Sequence, residues 1–208
     1  MRVFYGLDKI SENDLRDLGG FPLIVKPVDL TGGKGMTKLE SEKDINIAIK
    51  EALTLSRHHT FIVEEWFAGS LHSYSTVIEN GEIIFEYFDT EACMFQPYLV
   101  STSISICSVD QNARTAVKES AQAVIKRLGL VNGVLHCQFM YDGTRIKILE
   151  YTRRMSGDLY SKVVQLVRGF RHADVFIAAV LGEKLSSVLD PSINGYEFVS
   201  RHCITSAE

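Results

Sequence analysis

The sequence has few of the features that mark membrane, secreted, zinc-binding or nucleic-acid-binding proteins. It contains 4 cysteines and 4 prolines among 208 residues, and it has no C-x-x-C pair, which argues against a zinc site. No apolar run approaches the roughly 18 residues of a membrane span, and no signal-peptide pattern begins the chain. The net charge is -4, without a block of Lys and Arg, which argues against a broad nucleic-acid surface. We therefore expect a cytoplasmic protein with reduced thiols that binds neither membrane nor nucleic acid.

The chain carries signals for β-hairpins and for amphipathic helices. Asn80-Gly81 and Asp142-Gly143 predict tight turns between paired strands. Ser41 and Asp110 are candidate N-caps, and Gly129 is a candidate helix stop. Because regular βαβ repetition is absent from the pattern, we predict an α+β fold. Strands are predicted over 21–27, 36–39, 60–67, 72–78, 82–88, 99–107, 133–141, 144–151 and 196–204, and helices over 41–53, 110–128, 159–167 and 175–181.

A lysine and a glycine-rich loop follow one another near the start of the chain. Ile24 and Lys26 share one face of the predicted strand, because side chains alternate along a strand. The loop Thr31-Gly-Gly-Lys-Gly-Met36 comes next. Glycines let backbone N–H groups turn toward an anion, so the segment is a candidate phosphate site. The alternative is a flexible hairpin loop with a solvated lysine.

Two later segments carry further candidate chemistry. Glu64-Glu-Trp-Phe67 ends a strand and on its own is typical of aromatic side chains entering the core. Gln138 and Glu150 lie on the two strands of the second hairpin, and oxygen ligands on adjacent strands suit Mg²⁺ carrying a nucleotide phosphate. The alternative is a structural pairing of Glu150 with Arg153 or Arg154.

Taken together, these segments resemble the ATP-grasp superfamily. The resemblance rests on Pro22-Leu-Ile-Val-Lys-Pro27, Gly32-Gly-Lys-Gly-Met36, Ile62-Val-Glu-Glu-Trp-Phe67, Gly133-Val-Leu-His-Cys-Gln138 and Ile148-Leu-Glu-Tyr-Thr-Arg-Arg154, in that order. The chain is most similar to the branch of carbamoyl-phosphate synthetases, biotin carboxylases and amino-acid ligases. The resemblance implies an ATP-grasp fold in which two α+β lobes grip a nucleotide between them. The small lid lobe, with its lead-in, would span 1–67 and the large lobe, with the metal-binding hairpin, 68–208.

The resemblance also implies roles for individual residues. Lys26 matches the basic residue that contacts the ATP phosphates, and Arg154 matches an arginine near the acceptor or the transferred phosphate. Gln138 and Glu150 match the two main ligands of Mg²⁺, for which Mn²⁺ can substitute, and Thr152 stands at the position of a further ligand. The remaining implied nucleotide contacts are the lid-loop glycines Gly32, Gly33 and Gly35, the adenine neighbours Ile24, Met36 and Met140, the backbone of Glu64, Glu65, Trp66 and Phe67, and the ribose candidate His72.

Several positions depart from the family pattern. Most members carry a carboxylate at the position of Gln138, whereas an amide there resembles the carbamoyl-phosphate synthetases. Thr152 replaces a common asparagine. Few residues precede Pro22, and 196–204 is predicted as a strand whose partners are missing. We therefore expect a unit completed by N-terminal and C-terminal domains or by a separate chain.

The function implied is that of an ATP- and Mg²⁺-dependent ligase module. Its substrates would be a small-molecule carboxylate, activated as an acyl phosphate, and an amine or thiol. The alternative is a nucleotide-binding regulatory or assembly module without turnover. We expect His136 and Cys137, beside Gln138, to face away from it as buried structural residues.

Overall fold

The computed structural model describes residues 2–5, 12–154, 159–169, 171–189 and 195–203. Its chain divides into two units, one of Met1–Phe67 with Phe95–Leu99 and one of Ala68–Met94 with Val100–Glu208. None of the helices in the described ranges is long and apolar enough to cross a membrane.

The first unit is a four-stranded antiparallel sheet with one face packed on helices. The strand order is β1-β4-β2-β3, and residues of β2 and β4 form a core with α2 and with leucines in and just after α1. A short 3-10 turn, Glu42–Asp44, leads into α2. The elements are β1 (Arg2–Tyr5), α1 (Glu12–Asp17), β2 (Leu23–Pro27), β3 (Thr37–Leu39), α2 (Ile45–Leu55) and β4 (Thr60–Glu65).

The second unit is a six-stranded antiparallel sheet covered on both faces. The strand order is β10-β7-β6-β5-β8-β9. Helix α3 packs on one face, and α4 and α5 pack on the other. The elements are β5 (Ser70–Glu79), β6 (Glu82–Ala92), β7 (Thr102–Ile104), α3 (Gln111–Leu128), β8 (Gly133–Tyr141), β9 (Ile146–Thr152), α4 (Tyr160–Arg168), α5 (His172–Leu181) and β10 (Ser200–His202).

The local signals in the sequence account for much of this architecture. The α+β class and both hairpins are confirmed, because β5 pairs with β6 and β8 with β9. Asp110 caps α3, since its side chain accepts a hydrogen bond from the Ala113 backbone N–H, and Gly129 ends that helix with a left-handed backbone. Ser41 behaves differently: within the described residues its side chain makes no capping bond, and the α-helix begins at Ile45.

The last predicted strand has a partner. Strand β10 is shorter than the predicted 196–204, and Ile204 lies outside the described residues. Its residues Ser200 and His202 pair with Ile104 and Thr102 of β7. The expectation of a strand without partners was therefore wrong. Strand β7, nearly 100 residues earlier in the chain, pairs with β10.

Candidate functional site

In the first unit, one face of β2 and β4 carries Lys26, the candidate phosphate contact. The antiparallel register sets Ile24 opposite Glu64 and Lys26 opposite Ile62, so these four side chains share a face. Ile24 and Glu64 are buried, and the Lys26 ammonium forms an ion pair with the Glu64 carboxylate. The side chain of Lys26 remains 21% exposed. A buried carboxylate therefore holds a cation that is still accessible to an anion.

The loop after β2 turns through three glycines with left-handed backbone angles. Gly32, Gly33 and Gly35 have φ values of 67°, 73° and 70°. The Met36 N–H donates to the Gly33 carbonyl over 3.2 Å, which closes a turn before β3. A Cβ added at Gly33 would lie 2.7 Å from Tyr98 Cβ. The glycine at 33 is therefore required both by the backbone angle and by the close approach of Tyr98.

The segment after β4 is anchored to the same unit. The Trp66 N–H donates to the Pro22 carbonyl over 3.0 Å. The Trp66 ring meets Tyr98 edge-on at 6.0 Å between centroids, and Lys38 Nζ lies 4.8 Å from the centre of the Trp66 ring. Glu65 is exposed and Phe67 is buried. Sequence reasoning missed Tyr98, because a residue so far along the chain carries no local signal for this contact.

In the second unit, the predicted metal ligands share one face of the sheet. Gln138 of β8 pairs with Glu150 of β9, and the next pair on that face is His136 with Thr152. The register shifts between Gln138 and Phe139, where Leu149 is an extra residue on β9, and Met140 pairs with Lys147 beyond the shift. Glu150 is exposed, and Gln138, Met140 and Thr152 are half-buried. The structure thus brings Gln138, Glu150 and Thr152 together at the edge of the sheet.

Two carboxylates that sequence reasoning missed lie on the same face, on β6. Gln138 Nε2 donates to Glu91 Oε2 over 2.6 Å, and Ser73 Oγ donates to Asp89 Oδ1. Burial raises the pKa of Asp89, and the negative charge of Glu91 raises it further. We call Ser73, Ser75, Asp89, Glu91, His136 and Gln138 the polar face of the second unit. The signal in the sequence was only the i, i+2 spacing of Asp89 and Glu91 on one strand.

The expectation that both His136 and Cys137 face away from Gln138 was half wrong. Cys137 packs in the core beneath α3, but His136 lies two residues from Gln138 and therefore on the polar face. Its Nδ1 lies 2.8 Å from Ser75 Oγ, and its ring meets Tyr160 of α4 at 5.3 Å. His136 is thus a buried structural residue, but on the side of the predicted metal ligands.

His72 does not occupy a position suited to the predicted ribose contact. Its side chain is fully buried on the α3 face of the sheet, opposite to that of Gln138. The ring stacks on Phe139 at 5.5 Å, and its Nε2 lies 2.6 Å from Ser70 Oγ. Burial lowers the pKa of His72, as expected for a neutral core histidine. Arg154, in contrast, lies two residues past the end of β9 and has an exposed side chain.

The oxygen donors of Gln138, Glu150 and Thr152 fit a hard cation bound together with phosphate. In the described part of the chain there is no group of three or more His, Cys, Asp or Glu side chains that could hold a metal ion. Gln138 and Glu150 supply two oxygen donors on adjacent strands, with the Thr152 hydroxyl one pair further on. Mg²⁺ usually takes one or two carboxylates and completes its shell with water and substrate phosphates. These residues therefore fit Mg²⁺ when a nucleotide supplies the remaining oxygens.

Comparison with known proteins identifies the family of the chain. Residues 11–188 match the family model described as carbamoyl-phosphate synthase L chain, ATP binding domain. The carbamoyl phosphate synthase large chain of Gemmatimonas aurantiaca is 24% identical over 183 residues, which cover 81% of this chain and 15% of that protein. The chain thus spans less than a sixth of that relative.

Solved structures show the same fold. An L-amino acid ligase from Bacillus licheniformis has a TM-score of 0.76 and 17% identity, covering 100% of this chain and 49% of that one. A biotin carboxylase–β,γ-ATP complex from Campylobacter jejuni has a TM-score of 0.69 and 23% identity, covering 82% and 39%. The expected α+β ATP-grasp fold is confirmed.

Alanine substitutions at Gly32 and Gly33 separate two destabilising effects, backbone strain and the close approach of Tyr98. At Gly32 an added Cβ would lie 3.5 Å from Leu99, an ordinary contact, whereas at Gly33 it would lie 2.7 Å from Tyr98. Both positions have a positive φ, so both alanines carry a similar backbone penalty. We expect Gly33→Ala to lose about 1–3 kcal/mol more unfolding free energy than Gly32→Ala, because overpacking adds to the strain. Urea unfolding measures the difference, and equal losses would contradict the packing against Tyr98.

Proposed function

The chain belongs to the family of the carbamoyl-phosphate synthase L chain, ATP-binding domain, and on that basis we propose that it binds ATP with Mg²⁺ in a carboxylate–amine or carboxylate–thiol ligase. In the proposed reaction a carboxylate oxygen attacks the γ-phosphorus of ATP, and ADP leaves. The amine or thiol then attacks the acyl carbon, and inorganic phosphate leaves. Catalysis of this kind consists mostly of positioning and charge stabilisation, so it needs no nucleophilic side chain.

The pairing of Gln138 with Glu150 is the observation that carries the proposal. The two side chains lie on one face of adjacent strands, one charged and one neutral, and both offer oxygen. Mg²⁺ held by Gln138 and Glu150, with Thr152 beside them, would offset the negative charge of the phosphates. Mn²⁺ has similar ligand preferences and can serve as its probe.

The first unit supplies the groups proposed to bind the phosphates and the base. Lys26 would contact the phosphates, and the backbone N–H groups around Gly32, Gly33 and Gly35 would cover them. Arg154 of the second unit would contact the transferred phosphoryl group or the acceptor carboxylate. In the first unit, the proposed neighbours of the adenine are the side chains of Ile24 and Met36 and the backbone of Glu64, Glu65, Trp66 and Phe67.

Removing the Lys26 charge tests the phosphate contact. Lys26→Met keeps most of the aliphatic stem, while a charge-assisted hydrogen bond worth roughly 1.5–3 kcal/mol is lost. We therefore expect the dissociation constant of ATP to rise about 10- to 150-fold, as measured by calorimetry.

The control variants for this experiment follow from the ion pair. Lys26→Met also removes the cation that pairs with the buried Glu64 carboxylate. The double variant Lys26→Met/Glu64→Gln removes that negative charge as well. If the lost ammonium is the cause of weaker binding, the double variant should bind ATP as weakly as the single one. Lys50→Met, on the exposed side of α2, should bind like the parent. An unchanged dissociation constant in Lys26→Met would remove Lys26 from the proposed site.

Glu150→Gln tests the metal contact. The substitution preserves the shape of the side chain and removes the charge that a hard cation prefers. We expect Mg²⁺ to lose most of its effect on the ATP dissociation constant, while ATP binding in EDTA stays as in the parent. Glu65→Gln is the matched control, because the Glu65 side chain is also exposed on a strand and the proposal uses only its backbone. Parent-like binding of Mg²⁺-ATP by Glu150→Gln would show the assignment to be wrong.

The ligase half of the proposal predicts acceptor-dependent ADP release. With Mg²⁺-ATP and a panel of carboxylates and amines, we expect at least one pair to raise ADP release above the basal rate. Hydroxylamine is a suitable trap, because it converts an acyl phosphate into a stable hydroxamate. ATP binding without ADP release or hydroxamate for any pair would contradict the ligase half and leave the nucleotide-binding half standing.

A further inference from the structure

A hydrogen bond on the polar face joins side chains from two strands that are not neighbours. Glu91 lies on β6 and Gln138 on β8, with β5 between them. Gln138 Nε2 donates to Glu91 Oε2 over 2.6 Å, and Glu91 is only 7% exposed. The short distance and the burial of the acceptor make this a well-defined contact.

The chemistry of the two groups determines the orientation of the amide. The two ends of a glutamine amide differ, because the NH₂ donates hydrogen bonds and only the carbonyl oxygen can ligate a cation. A carboxylate is an acceptor, so it selects the NH₂ end. The carbonyl oxygen then lies on the other branch of the carboxamide. Strand β9, whose Glu150 pairs with Gln138, lies on the side of β8 away from β6.

We propose that Glu91 is a positioning residue, which holds the Gln138 amide with its carbonyl oxygen available to the cation beside Glu150. This inference rests on the proposed function, because it concerns the same metal site. Glu91 itself does not contact the cation in this proposal. It reduces the number of orientations that Gln138 samples, so that more of the protein is ready to bind metal.

The proposal also accounts for an amide at position 138. A carboxylate there would lie against the Glu91 carboxylate, whose negative charge already acts on the buried Asp89. Like charges at hydrogen-bond distance in a buried setting are strongly unfavourable. The amide instead meets Glu91 as a donor and still offers one oxygen to a cation. Gln138 and Glu91 therefore form a matched pair.

The first test examines the hydrogen bond in the protein without metal or nucleotide. The side-chain amide resonances of Gln138 can be identified by their loss in Gln138→Met. We expect one of its NH₂ protons to resonate downfield of ordinary glutamine amides, and to return to the ordinary range in Glu91→Leu. Unchanged Gln138 resonances in Glu91→Leu would overturn the proposal without reference to ATP.

The second test measures the gain in ATP affinity that Mg²⁺ produces, as the ratio of the dissociation constants in EDTA and in Mg²⁺. In Glu91→Leu the amide loses its acceptor and samples several orientations, so we expect the gain to fall about tenfold. Glu91→Gln keeps an acceptor oxygen but allows either amide orientation, so the gain should fall only about two- to fivefold. Glu82→Leu, exposed on the same strand, should leave it unchanged.

The outcomes separate this proposal from the function on which it rests. Equal losses of the Mg²⁺-dependent gain in Glu91→Leu and Glu91→Gln would show that Glu91 acts only through its charge. An unchanged gain in both variants would show that Glu91 has no role in metal binding. Both results overturn the positioning role and leave the ATP site intact. If the parent chain gains no affinity from Mg²⁺, the metal site itself is wrong and the positioning role falls with it.

Discussion

The antiparallel register of β8 with both its neighbours is the constraint on which the second unit depends. Each residue of β8 is fixed against one residue of β5, and from Gly133 to Tyr141 the alternation decides which face each side chain takes. Cys137 and Phe139 face the α3 core, while His136 and Gln138 face the polar side. A slip by one residue would bury Gln138 under α3 and move Phe139 to the polar side. Core packing and the presentation of the proposed metal ligands are therefore set by the same hydrogen bonds.

Burying the polar face lowers the free energy of unfolding, and its hydrogen bonds reduce that loss. Asp89 is fully buried, and its Oδ2 finds no hydrogen-bond donor within the described residues. Burial raises its pKa, so the neutral form is favoured relative to an exposed aspartate. The Glu91 carboxylate accepts a hydrogen bond from the Gln138 amide, and the Ser75 hydroxyl has hydrogen-bond partners in His136 and Tyr160. Buried polar groups of this kind lower stability unless they are paired, and they cluster at sites that need defined geometry.

The sequence predicted what is local and missed what is assembled across the chain. The cap at Asp110 and the turns at 80–81 and 142–143 depend on a few adjacent residues, so their patterns were sufficient. Glu91 lies 47 residues from Gln138, and β10 pairs with a strand almost 100 residues away. Neither contact has a signal in a local window. His72 shows a further limit: strand alternation could not say which face of β5 would be covered by α3.

In both units, a carboxylate holds the side chain proposed to meet the ligand. Glu64 pairs with Lys26 in the first, and Glu91 holds Gln138 in the second. Such contacts reduce the side-chain freedom that binding would otherwise remove, which is the usual route by which preorganisation raises affinity. Neither contact needs to break when ligand arrives. An ammonium group has three donors, so Lys26 can keep Glu64 and still bind a phosphate oxygen, while the Gln138 amide can keep Glu91 at its NH₂ and offer its carbonyl oxygen to the proposed cation. The carboxylates can therefore orient the site without competing for its ligands.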